Sequence, residues 1–173
     1  AMTKDRPQIL NLCVTMALEH YTAILASQFL TDKNAFKGAD QEQIDMWKWH
    51  AIEEIEHKGV AYDTWLHATQ GWTRFKRWKV KSLMMLIVSK NFWTKRYQGM
   101  LNLLAQDGIT GFSAKARVLW FLLGTPGALR KLFFPWVAYF LPGFHPWNHD
   151  DRHLIASVDS AFEDARLPVT AAA

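Results

Sequence analysis

Cysteine is nearly missing from this chain. Cys13 is alone among 173 residues, which excludes an internal disulfide framework and suits a reducing compartment. Also missing are a glycine-rich phosphate loop, a Gly-Xaa-Ser-Xaa-Gly elbow and any histidine beside Cys13 in sequence. Nucleotide cradling and serine or cysteine nucleophiles therefore have no support. No segment alternates as a strand between hairpin turns. Unbroken apolar runs such as Leu83 to Val88 and Val118 to Leu123 stop well short of the ~20 residues a bilayer span needs. The start has no signal-peptide core, and the alanine before Met2 reads as a cloning remnant. A soluble, cytoplasmic protein is expected. Half the residues are hydrophobic, nine are tryptophan, and charged residues make up 21%, which suits one packed domain over residues 1–173. The formal charge of +4 is too mild to identify a partner.

Helical periodicity dominates and predicts an all-α fold. A first helix is expected over about residues 7–30, followed by the polar loop Thr31 to Asp40. Asp40 with Gln43 three residues on resembles a capping box, opening a second helix from Gln41 to about Thr69 that Gly71 ends. A basic, then apolar, third helix should run from Trp72 to about Gln106, and a short fourth from Ser113 through Leu123. Thr125 as N-cap with Pro126 at N1 should open a segment to about Phe140. Pro142 to Trp147 must form an ordered turn. A last helix is expected from Arg152 to Ala165, with a frayed Ala171 to Ala173 end.

Within the second helix, Trp49 to Lys58 holds two imidazoles and three carboxylates. At ~3.6 residues per turn, His50, Glu54 and His57 share one stripe, continued by Trp47, Ala61, Thr64 and Ala68. That stripe is mostly small or apolar, so it should face the core, where unpaired ionisable groups are costly and a metal ion removes the penalty. Glu54 and His57 also have the i, i+3 spacing of Glu-x-x-His half-sites in four-helix dimetal proteins. Glu19, among Leu12, Thr15, Met16, Ala23 and Ala26 on the first helix, fits as a bridging carboxylate. Two plainer readings compete. The run could be a solvated face opposite Trp49, Ile52, Ile55 and Val60, and Glu19 could be a boundary residue paired with a lysine. His20, Glu53, Tyr62 and Asp63 are candidates to orient ligands by hydrogen bonding, and Glu56 should be solvated. His145, His149, Asp150, Asp151 and His153 form a further polar cluster with no ligand spacing, better explained as a turn held by side-chain-to-backbone bonds. Arg74, Lys76, Arg77, Lys79 and Lys81 interleave with aromatics. Such a stretch serves a membrane surface or nucleic acid, or more commonly an amphipathic helix with snorkelling cations.

Three stretches carry a likeness to a known family: Ala17 to Ala26, Trp47 to Trp65 with its WHAIEEIEHKGVAYD run, and Pro126 to Leu154. They resemble the bacterial family of predicted metal-dependent hydrolases, which looks ferritin-like. The resemblance implies metal binding through Glu19, Glu54 and His57, with His50 added. His50-x-x-x-Glu54-x-x-His57 is also similar to the arylamine N-oxygenases, di-iron enzymes with an extra histidine ligand. Members usually carry two upstream helices, one with a Gly-Glu and one with a Gln-Glu-x-x-His motif, and neither motif occurs here. Either the chain is a piece of a longer one, or two copies pair to rebuild a symmetric site. The expectation is a half-bundle per chain, completed as a homodimer, with additional C-terminal helices. Iron is the expected metal, with manganese or zinc as alternatives. The chemistry could be hydrolysis or di-iron oxidation. The competing class is a non-catalytic binding module that uses the basic aromatic helix.

Overall fold

The computed structural model describes residues 7–166, with only the backbone course at 161 and 163–166. The expected fraying at 171–173 lies outside the described residues. The order is α1 (Gln8–Thr31), α2 (Gln41–His57), α3 (Val60–Ala68), α4 (Arg74–Gln106), α5 (Gly111–Leu123), α6 (Ala128–Ala138), a 3₁₀ turn (Pro146–Asn148) and α7 (Arg152–Arg166). No strand occurs among the described residues, so the all-α expectation holds.

α1 lies at the centre, against α2, α3, α4 and α6. That position explains its sequence, because a helix walled in on several sides is apolar around most of its circumference. It is also the one described helix long and apolar enough to cross a bilayer by length and composition. Cys13, Met16, Ala17 and Tyr21 of α1 meet Ala61, Tyr62 and Trp65 of α3, Met84, Met85 and Val88 of α4, and Tyr139 and Phe144. Contacts between α1 and α2 run in opposite directions along the two helices. Phe29 stacks on Trp47, Ala26 packs with Ala51, and Glu19 reaches Ala61 just beyond the end of α2. The pair is therefore antiparallel.

Three local expectations change. The single helix 41–69 is broken after His57, and Lys58 and Gly59 carry the break. A Cβ at position 59 would stand 2.8 Å from Trp147 Nε1, so glycine admits the indole that wedges against this bend. Asp40 does sit at the N-cap of α2, but its side chain makes no capping bond. The segment after Leu123 starts its helix at Ala128 rather than Pro126. Thr125-Pro126 is a cis peptide, and Gly127 enters the helix with φ +73°, which glycine tolerates.

Candidate metal centre

The buried stripe of the α2–α3 segment is Ala51, Ile55, Lys58, Tyr62, Trp65 and Thr69. Ile52 is buried beside it. The His50–Glu54–His57 stripe therefore does not face the core. His50 keeps 51% and Glu54 28% of side-chain surface, and His57 is exposed, as are Trp47, Thr64 and Ala68 on the same line. α2 turns Ala51 and Ile55 toward Ala26 and Leu154, which leaves the ionisable stripe on the shoulder of the α1–α2 seam. Of the competing apolar stripe, Ile52 and Ile55 are buried while Trp49 and Val60 are exposed.

On that shoulder, His50 Nε2 stands 3.6 Å from Glu54 Oε1. The two line a cleft of about 150 Å³ with Thr22, Leu25, Ala26, Phe29, Trp47 and Ala51. The cleft has room for an ion and water but is smaller than the ~300 Å³ where small-molecule pockets begin. An apolar cleft of about 480 Å³ lies across Leu25 and Phe29, which the two clefts share as wall.

Glu19 has no lysine partner among the described residues. Its Oε2 accepts the backbone N–H of Ala61 at 3.0 Å, in the first turn of α3. A carboxylate there satisfies a donor that the helix cannot, at the positive end of its dipole. Burial pushes the Glu19 carboxyl above its usual range. The Ala61 bond and the nearby His57 pull it back, while the Glu54 charge raises it further. Glu19, Glu54 and His57 are thus electrostatic neighbours, and His50 joins them through Glu54.

The chemistry of this donor set suits a divalent metal: two carboxylates and two imidazoles, partly open, with one carboxylate held by a backbone N–H. Among the described residues, however, no three His, Cys, Asp or Glu side chains converge on one ion.

The proposed orienting residues are mostly engaged elsewhere. Tyr62 is buried and donates its hydroxyl to the Phe144 carbonyl. Asp63 accepts from His145 Nε2 at 2.9 Å. His145 Nδ1 accepts the Trp147 N–H, which fixes the proton on Nε2. His20 is buried on a different face of α1 from Glu19, where Nε2 donates to the Pro135 carbonyl at 3.1 Å and the ring packs on Tyr139 and Phe144. Burial drives its pKa down to about 4 against the pull of that carbonyl, with the Lys81 and Lys58 charges adding to the drop. Glu53 is half-buried and Glu56 exposed.

The second polar cluster closes the bend after His57. Lys58, 3% exposed, pairs with equally buried Asp151 at 2.8 Å and donates to the His149 carbonyl at 2.7 Å. Its ammonium lies 4.3 Å from the centre of the Trp147 ring. Asp151 also meets His149 Nε2 at 2.9 Å and receives Ser27 from α1 at 3.5 Å. Asp150 accepts the Arg152 N–H and guanidinium, both at 3.0 Å, at the start of α7. The cluster is a clasp rather than a donor set. Lys58 had a readable signal, since Ala51, Ile55 and Lys58 fall at i, i+4 and i+7 of the buried stripe.

Lys81 leaves the proposed basic surface altogether. It is buried, donates to the Tyr139 carbonyl, and lies within 6 Å of the Tyr62, Tyr139 and Phe144 ring centres, at 5.8, 4.7 and 4.8 Å. Burial lowers its pKa to about 8. Arg74, Lys76 and Lys79 are exposed and Arg77 half-buried.

A family model described as predicted metal-dependent hydrolase matches residues 1–150. No curated protein and no solved structure matches the chain.

Proposed function

Because that match covers most of the chain, the protein belongs to the predicted metal-dependent hydrolase family, and on that premise we propose that Glu19, His50, Glu54 and His57 hold the divalent metal of a metal-dependent enzyme. The observation that carries this assignment is the approach of His50 Nε2 to Glu54 Oε1 beside Glu19, on the open shoulder of an antiparallel helix pair. A stripe that is neither buried nor ion-paired to lysine leaves its remaining face free for further donors.

Those donors come, in this reading, from a second copy of the chain. A twofold axis along the seam would bring two copies of Glu19 and Glu54-x-x-His57 together, the ligand pattern of a ferritin-like dimetal bundle. It would also cover Trp47, Trp49 and Met46, each about half exposed on the same helix. Iron suits this mixed carboxylate and imidazole set best, with manganese or zinc as alternatives. A bound metal would supply either an activated water for hydrolysis or, as iron, oxidation chemistry. In either case the chain's own residues anchor and orient: the Ala61 N–H holds one oxygen of Glu19, and the Lys58–Asp151 clasp fixes the bend that follows His57. The lone, buried Cys13 suits a cytoplasmic setting.

The test is elemental analysis after reconstitution with iron, manganese and zinc in turn, alongside light scattering. The expected result is a dimer with about one metal per chain, lost in Glu54→Ala together with any metal-dependent rise in melting temperature. Unchanged metal content in Glu54→Ala would overturn the assignment, and a monodisperse monomer that still binds metal would overturn the shared site.

A further inference from the structure

Charge is divided unevenly along the chain. Residues 64–149 carry twelve Lys or Arg against one carboxylate, Asp107, a formal +11. The remainder carries eight against fifteen, a formal −7. No carboxylate at all occurs from Gly108 to His149, where the structure places α5 and α6.

α5 is apolar on both faces, unlike an ordinary surface helix. Ala114, Val118 and Leu122 form the buried face. On the opposite face a soluble protein would place polar residues. Here that face holds Phe112 (87% exposed), Ala116, Trp120 (66%), Leu123 and, toward its edge, Leu119, with Ser113 as its one polar residue. Exposed Lys115 and Arg117 flank it on either side, at helical angles near the boundary between the two faces. The apolar surface continues onto α6. Leu123 and Phe133 border one cavity, and neighbouring Phe134 is 78% exposed.

We propose that the outward face of α5, extended by Phe133 and Phe134, docks the protein on an anionic phospholipid surface, with Lys115 and Arg117 meeting the headgroups. α5 has 13 residues, too short for the ~20 needed to span a bilayer, so it lies in the plane of the interface. An apolar strip flanked by cations is the pattern of such helices, and a carboxylate-free segment complements anionic lipid. A second copy is the poorer occupant: an isologous contact here would bring Lys115 and Arg117 of both copies together, with no carboxylate in α5 or α6 to offset them. The membrane face is independent of the metal assignment and should work in metal-free protein.

The experiment is co-sedimentation of the full chain with vesicles of phosphatidylcholine alone or mixed with phosphatidylglycerol. Binding should be at least about tenfold tighter to the anionic vesicles and should weaken steeply with salt. Trp120→Ser with Phe134→Ser, and separately Lys115→Glu with Arg117→Glu, should each lower affinity about tenfold or more while the helical circular dichroism is retained. All four side chains are exposed, so these variants should fold. Absence of binding to anionic vesicles would overturn the proposal. So would binding indifferent to both variants, or a dimer in solution that the Trp120/Phe134 variant dissociates.

Discussion

Replacing Asp151 by alanine strands the Lys58 ammonium in a site where it is 3% exposed. What remains to it is one carbonyl, His149 O at 2.7 Å, and the Trp147 face at 4.3 Å, neither of which carries a formal charge. Removing one partner of a buried ion pair typically costs about 3–5 kcal/mol, because the survivor keeps its desolvation penalty. In a domain of this length each kcal/mol moves the midpoint by about 2–4 °C, so Asp151→Ala should melt of order 10 °C lower. Lys58→Met should cost less, since Asp151 would retain His149 at 2.9 Å and Ser27 at 3.5 Å. The double variant Lys58→Met/Asp151→Ala should lose far less than the sum of the two single losses, because no unpaired charge is then left buried. Thermal and urea unfolding followed by circular dichroism, assembled as a double-mutant cycle, measures all three. A loss below about 1 kcal/mol in Asp151→Ala, or additive single losses, would refute the view that this pair clamps the bend after His57.

His20, with its pKa held near 4 in the fold against 6.5 for the free side chain, lets the unfolded chain bind a proton that the folded chain refuses. Stability should therefore fall by up to about 3 kcal/mol from pH 6.5 down to 4. His20→Gln, which can still donate to the Pro135 carbonyl, should lack this slope, and identical pH profiles would disprove it. Lys81→Met should leave stability unchanged or raise it by about 2 kcal/mol at pH 7, since no carboxylate neutralises the buried cation. Folded Lys81 releases its proton near pH 8 while the unfolded side chain holds it to about 10.5, so the wild type should close that gap as pH rises between those values. A Lys81→Met protein destabilised by more than about 2 kcal/mol would contradict this view. Glu19→Ala should cost about 1–2 kcal/mol by orphaning the Ala61 N–H, whereas Glu19→Gln keeps an acceptor and should unfold within about 0.5 kcal/mol of wild type while losing metal. Equal losses in both would show that the hydrogen bond is not what Glu19 contributes to stability.

Residue spacing was enough to read four of the seven α-helices among the described residues. Apolar periodicity located α1, α4, α5 and α7 to within a few residues, because each is long or bounded by Gly, Pro or a polar turn. The family resemblance also rested on residues alone, and the match over 1–150 agrees with it. Tertiary contact decided the rest. Whether His50, Glu54 and His57 face in or out depends on which side of α2 meets Ala26 and Leu154, since both stripes of that helix contain apolar residues. The break at Lys58–Gly59 follows from an indole arriving from residue 147, a contact between positions 88 residues apart. Lys81 looks like a surface cation in sequence, and Lys58 could be read as buried only once the Ala51–Ile55 stripe is known to face inward. They are buried because an aspartate 93 residues away and a cage of aromatic rings receive them. Local spacing determines which residues share a helix face, but which face is desolvated depends on what the rest of the chain packs against it.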